Sequence, residues 1–311
     1  MLSRIAESLF WIGRYVERAD DTARILDAHL QLLLEDPWVE EDLACRSLLA
    51  VMGAPEPTEG RVITRRDAMH LLAYDPSSPG AIAGALTAAR ENARRAREIV
   101  STELWECLNT TWNLLIVQRD ALAPHDFFSW VRERAAIVSG LVDSGTSRDL
   151  TWQVLVLGRS IERADMTARL IAARALSGVT GPTWVTLLRS CGAHESFLRT
   201  YRGRASDALA AEFLLLDRYF PRSVFYALQR AERCLGEISP GEARKVTAED
   251  DARRILGRAR SNLEYRPLGD LLADLPDEME DVQRACSAAS DAVRGRYFPS
   301  PTSIAWVGEL L

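Results

Sequence analysis

Residues 13–24 read GRYVERADDTAR and residues 158–169 read GRSIERADMTAR, so nine of twelve positions recur at an offset of 145. Two copies of one segment must present the same faces and find comparable partners for them, which constrains how the rest of the chain folds. The recurring residues are Gly13/Gly158, Arg14/Arg159, Glu17/Glu162, Arg18/Arg163, Ala19/Ala164, Asp20/Asp165, Thr22/Thr167, Ala23/Ala168 and Arg24/Arg169. Most of them are charged.

Around the first copy, Leu2, Ile5, Leu9, Ile12, Val16, Ala19, Ala23, Leu26, Leu30 and Leu33 step by three and four, one buried stripe on a helix over 2–34. The second copy keeps the stripe as Val154, Leu157, Ile161, Ala164, Ala168, Ile171 and Ala175, with Gly178 as its stop. Ser78 and Pro79 read as cap and first turn of a third long helix carrying Ile82, Leu86, Ala89, Ala93, Ala96, Val100, Leu104 and Leu108, out to about residue 118. Further helices are expected at 37–52, 64–74 (Thr64 and Asp67 forming a capping box), 126–143, 182–192, 205–216, 222–236, 247–264 and 276–296. No segment reads as a strand.

The expected fold is therefore all-α: a single multi-helix domain over 1–311 with an internal pseudo-two-fold duplication. Its halves are approximately 1–145 and 146–311, meeting near SGTSRD at 144–149. Downstream of the repeats the halves no longer match visibly. Ala19, Ala23, Ala164 and Ala168 are small enough to let backbones approach, so they should form the seam between halves, with the Arg and Glu positions projecting from the other side.

A net charge of −6 and a sequence pI near 5.4 argue against a general nucleic-acid surface, which needs clustered cations. Lys245 is the only lysine among 38 basic residues, so the cationic chemistry is that of arginine, whose planar fork suits carboxylate and phosphate. Cys45, Cys107, Cys191, Cys234 and Cys286 are odd in number and form no CxxC pair, which points to reduced thiols without a zinc site. The first eighteen residues lack a basic leader with an unbroken apolar stretch, and no run approaches a membrane span, so the expected location is cytoplasmic.

Arg14, Glu17, Arg18, Asp21 and Arg24, with Arg159, Glu162, Arg163 and Arg169 in the second copy, can pair along their own helices, each surface pair contributing only about 0.3–0.5 kcal/mol. A solvated ladder has no need to repeat residue for residue. Two other readings stay open: a polar cleft holding a ligand with amine and carboxylate groups, or a buried ion-pair network that fixes the packing of the halves at a desolvation cost. A second cluster, Arg90, Glu91, Asn92, Arg94, Arg97 and Glu98, is followed by Ser101, Glu103, Trp105, Glu106 and Asn109. Asn92 fits a salt-laced exposed face less well than its neighbours, offering donor and acceptor together. Phosphate-binding loops, HExxH and GxSxG are missing, and Asp67 to His70 is one DxxH without a partner, so no metal site is expected.

Four ordered segments carry a family resemblance: LSRIAESLFWIGRYVERADDTAR, ARENARRAREIVSTELWECLN, LGRSIERADMTAR and FLLLDRYFPRSVFYAL. Through them the chain resembles the bacterial alpha-E domain proteins over nearly its whole length. The resemblance implies an all-helical fold whose genes neighbour or fuse with circularly permuted ATP-grasp proteins and accompany transglutaminase-like and proteasome-like peptidase proteins. It also implies that the characteristic polar residues are Arg14, Glu17, Arg18, Arg90, Glu91, Asn92, Arg94, Glu103, Asn109, Arg159, Glu162, Arg163, Arg222 and Ser223. The expected role is an accessory, substrate-handling part of an amide- or peptide-bond-forming system. It would hold an amino acid, peptide or acyl-phosphate intermediate while an ATP-grasp partner supplies ATP and Mg. The alternatives are a catalyst with Glu17, Glu91, Glu103 or Glu162 as general base, or a helical scaffold with an apolar docking patch, for which the tail around Tyr297, Phe298 and Trp306 is the candidate.

Overall fold

The computed structural model describes residues 3–35, 40–55, 60–177, 183–239 and 251–298, and among these every regular element is helical. The two repeat copies lie on the two longest helices, α1 (Ser3–Glu35) and α7 (Leu150–Ser177). Their apolar stripes are buried as read, Ile5, Leu9, Ile12, Val16, Ala19, Ala23 and Leu26 on one and Val154, Leu157, Ile161, Ala164, Ala168 and Ile171 on the other. Each large aliphatic of the stripe contributes on the order of 1.5–3 kcal/mol by leaving water. One continuous apolar core runs from Ile5 to Phe298.

The remaining helices are α2 (Glu41–Val51), α3 (Arg65–Met69) running into a π-helical turn (His70–Tyr74), α4 (Ile82–Arg95), α5 (Thr102–Ala121) and α6 (Pro124–Gly145). After α7 come α8 (Trp184–Ser190), α9 (His194–Thr200), α10 (Asp207–Leu216), α11 (Val224–Ile238), α12 (Asp251–Tyr265), α13 (Leu268–Ala273) and α14 (Leu275–Tyr297). The Thr64–Asp67 capping box forms, and Ser101, Thr183, Ser206 and Ser223 each accept a backbone N–H at the start of the following helix. Such caps cost about 1 kcal/mol of helix stability when lost.

Two sequence expectations need correction here. Ser78 does not cap a helix: its carbonyl takes the Ala81 N–H, and Ile82 is the first helical residue. The turn folds back so closely that a Cβ on Gly84 would lie 1.9 Å from the Ser78 oxygen, which only glycine permits. Nor does one helix run from there to 118. It ends at Arg95, and Ser101 caps a new helix that folds back so that Asn109 and Trp112 meet Arg90. Helices α9 and α13 carry no sequence signal, because seven and six residues are too few to show a period. Gly178 and Trp306 lie outside the described residues.

The surroundings of the two repeat-bearing helices correspond at several further points. α1 packs on α7, α4, α6 and α8, while α7 packs on α1, α11, α14 and α2. α4 and α11 open alike, Pro79-Gly80-Ala81-Ile82 against Pro221-Arg222-Ser223-Val224, followed by Ala85-Leu86 against Ala227-Leu228. Arg24 of α1 sits over Gly192 at the end of α8, and Arg169 of α7 over Gly53 at the end of α2. Both glycines have positive φ and close the same six-to-one turn, Ala54 N–H to Leu49 O and Ala193 N–H to Leu188 O.

Candidate functional site

The repeated glycines set the geometry. A Cβ on Gly13 would fall 2.1 Å from the Leu155 carbonyl oxygen, and one on Gly158 would fall 2.1 Å from that of Phe10, so the backbones of α1 and α7 touch at their crossing. This contact brings the Glu-Arg dipeptide of each copy opposite the other. Arg163 donates through Nε to Glu17 Oε1 at 2.6 Å and through a terminal nitrogen to Oε2 at 2.7 Å. Arg18 makes the reciprocal pair with Glu162, at 2.5 and 3.0 Å. Both carboxylates are buried, Glu17 to 3% and Glu162 to 1% exposure. The expectation that the Arg and Glu positions turn away from the seam is therefore wrong. One turn of helix from a glycine crossing they are still within reach, and each finds its counter-ion on the other copy.

A second arginine joins each glutamate, and here the two copies differ. Arg14 donates to Glu162 Oε2 at 2.6 Å and to the Ser290 hydroxyl. Its counterpart Arg159 instead reaches Asp143 at the end of α6, 3.2 Å away. Glu17 receives Arg222 at 2.8 Å, and the same guanidinium pairs with Asp20 and Asp21. Thr167 donates its hydroxyl to the Arg222 carbonyl, and Ser223 caps α11. Burial alone would raise both glutamates. The arginines beside them win, holding Glu162 at about 2 and Glu17 well below the usual carboxylate range. Asp21 goes the other way, pushed up by burial, because it shares Arg222 with Glu17 and Asp20. Glu17, Asp20 and Asp21 lie close enough together to ligate a cation, and the guanidinium of Arg222 supplies the positive charge among them.

The second predicted cluster forms apart from the first. Arg90 donates to Asn109 Oδ1 at 3.1 Å and lies over the rings of Trp105 and Trp112. Arg94 chelates Glu91, to which Arg90 and Arg95 also lean. Asn92 donates to the Ala88 carbonyl. Glu103 is exposed in the first turn of α5. Thus Arg14, Glu17, Arg18, Glu162, Arg163 and Arg222 converge at the seam, Arg90, Glu91, Asn92, Arg94 and Asn109 converge on α4 and α5, and Arg159, Ser223 and Glu103 join neither group.

An open pocket of about 620 Å³ lies where these clusters approach, lined by Arg4, Glu7, Trp11 and Tyr15 of α1 and by Asn92, Arg94 and Arg95 of α4. Trp11 and Tyr15 stack at 5.2 Å, with the Arg14 guanidinium over one ring and that of Arg18 over the other. The seam ion pairs thus brace the pocket wall. Sequence reasoning missed Arg4, Glu7, Trp11, Tyr15 and Arg95. The available signal was that Glu7, Trp11 and Tyr15 step along one flank of the buried stripe.

Fold and site together give an all-helical chain whose two repeat-bearing helices interlock through reciprocal Glu–Arg pairs. The chain belongs to the Alpha-E family, described as a predicted alpha-helical domain with a conserved ER motif, the match covering residues 1–298. Here the repeats carry that dipeptide as Glu17-Arg18 and Glu162-Arg163. The chain is similar to uncharacterised proteins of Mycobacterium bovis and of the CDC 1551 and H37Rv strains of Mycobacterium tuberculosis, each 25% identical over 334 residues and covering 95% of this chain. It spans 38% of the length of these relatives. No solved structure matches it.

Proposed function

We propose that this chain is a ligand-holding module of an amide- or peptide-bond-forming system, with its α1–α4 pocket as the holding site. It presents an amino acid, peptide or acyl-phosphate intermediate to a circularly permuted ATP-grasp protein that brings ATP and Mg; a transglutaminase-like protein is a further partner. The observation that carries this reading is the pocket itself, where arginines, Asn92 and an aromatic wall converge on open space. The short match to longer relatives fits a domain that works beside others.

Catalysis by this chain has less support. Glu17 and Glu162 are saturated by arginines and held at low pKa, which makes them poor bases. All five cysteines are buried with thiols pushed up, Cys191 to about 12. A scaffold role has one observation in its favour. Phe298 is buried against Phe10, but Leu114, Ile116 and Val117 leave apolar side chains exposed around α5. A calorimetric screen of amino acids, short peptides, acyl-phosphonates and nucleotides, with and without the ATP-grasp neighbour, tests the proposal. Binding that Asn92→Ala and Arg94→Ala abolish in a folded chain is the expected result. Binding of nothing, alongside stable capture of the neighbour, would leave the scaffold reading in its place.

A further inference from the structure

The halves differ at one face in a way that defines ligand chemistry. At the offset of 145, Glu7, Trp11 and Tyr15 correspond to Trp152, Val156 and Ser160. In the second half all three are buried, and Trp152 lies between the guanidiniums of Arg148, 4.2 Å from its ring, and Arg230, at 4.7 Å. That half is plugged by its own side chains. In the first half a carboxylate replaces the plug, and the face remains the open pocket.

The polar groups in that pocket are incompletely used. Among the described residues neither Glu7 nor the Arg4 guanidinium has an ion-pair partner, and Asn92 spends its N–H on Ala88 while its Oδ1 stays available. Arg94 and Arg95, both lining the pocket, share the single carboxylate of Glu91, two cations to one anion, leaving one positive charge in excess. One wall therefore calls for a cation at Glu7, another for an anion at the α4 arginines, and the Trp11–Tyr15 pair offers apolar surface between.

We propose that the pocket takes a short zwitterionic peptide, its free amine at Glu7, its carboxylate at Arg94 and Arg95, and a bulky apolar side chain against Trp11 and Tyr15. This rests on the ligand-holding reading above and narrows it. The volume lies within the range of roughly 300–1,000 Å³ that encloses ligands larger than a single small amino acid. Charge-assisted bidentate pairing of arginine with a carboxylate supplies the direction of binding, and Glu7 disfavours a blocked amine because acetylation removes the positive charge that its carboxylate would pair with.

The test is calorimetric titration of the chain with alanyl-phenylalanine, its N-acetyl form, its C-terminal amide and an aminoalkyl phosphonate. Blocking either end of the peptide should weaken binding by about tenfold or more. Glu7→Gln should erase the penalty for acetylation and keep that for amidation, and Arg94→Gln with Arg95→Gln should do the reverse, both variants melting like the parent. Blocked and free peptides binding alike, or binding of the phosphonate alone, would overturn the peptide assignment while leaving the ligand-holding reading standing. Discrimination unchanged in the Glu7 variant would overturn the role of that residue. Failure of every probe, together with failure of the wider screen, would overturn both.

Discussion

Glu162→Ala isolates what the reciprocal pairs contribute. The Glu162 carboxylate accepts from Arg14 Nε at 2.6 Å and from Arg18 at 2.5 and 3.0 Å, and its side chain is 1% exposed. Removing it strands two guanidiniums. Arg14, with a side chain 10% exposed, keeps only the Ser290 hydroxyl, whereas Arg18, at 21%, is partly rescued by water and the Pro79 carbonyl. Breaking a buried pair costs about 3–5 kcal/mol, and the partial exposure of Arg18 puts the expectation near 3. With an unfolding entropy of about 2.1 cal/mol/K per residue, a chain this long loses roughly 1.5 °C of Tm per kcal/mol, so calorimetry should show a drop of roughly 5 °C. The companion variant Glu162→Leu with Arg14→Met and Arg18→Met removes every stranded charge. It should return to within about 1 kcal/mol of the parent, because apolar replacement of a complete buried triad is often neutral or better. A Glu162→Ala protein that melts with the parent, or a companion that melts still lower, would refute this reasoning.

Gly13→Ala should destabilise by more than about 3 kcal/mol, the backbone of α7 having no room to yield, whereas Gly140→Ala, with open space around it, should stabilise by up to about 1 kcal/mol through helix propensity; urea unfolding measures both. Glu162 has its pKa lowered from 4.5 to about 2 on folding, so its contribution is complete above its unfolded pKa and is lost as pH falls through the folded value. Acid titration of stability should therefore fall by roughly 3 kcal/mol less for the apolar triad variant than for the parent. Asp21, raised in the fold, has the opposite sign: its contribution is complete at low pH and is lost as pH rises above the ordinary carboxylate range. Asp21→Asn should thus gain stability relative to the parent between about pH 5 and about pH 9, and a difference that does not change with pH would contradict the raised pKa.

Much of the fold was legible because three-and-four spacing survives in every helix that buries one face, α1 and α7 above all. The caps at Thr64, Ser206 and Ser223 are local chemistry and could be read in the same way. What could not be read was the meeting of distant backbones. Gly13 and Gly158 look like helix-weakening residues until α1 and α7 cross there, and that crossing turns Glu17 and Glu162 toward each other's arginines. Arg222 and Gly80 occupy corresponding places before α11 and α4, yet only one fills the space above a glutamate. The pocket was hidden for a related reason. Its floor is formed by half-buried residues on the flank of a stripe, and their exposure depends on what the opposite helix leaves uncovered.

In the proposed reading the α1–α4 pocket meets ligand, and the Glu–Arg pairs hold the two repeat-bearing helices together. The most direct test is calorimetric titration of alanyl-phenylalanine into three folded proteins: the parent, Asn92→Ala with Arg94→Ala, and the apolar replacement of one reciprocal pair away from the pocket, Glu17→Leu with Arg163→Met, which leaves Arg222 paired with Asp20 and Asp21. Binding lost only in the pocket variant is the predicted result. Binding retained there and lost in the apolar replacement would place the ligand at the Glu–Arg pairs and contradict the account.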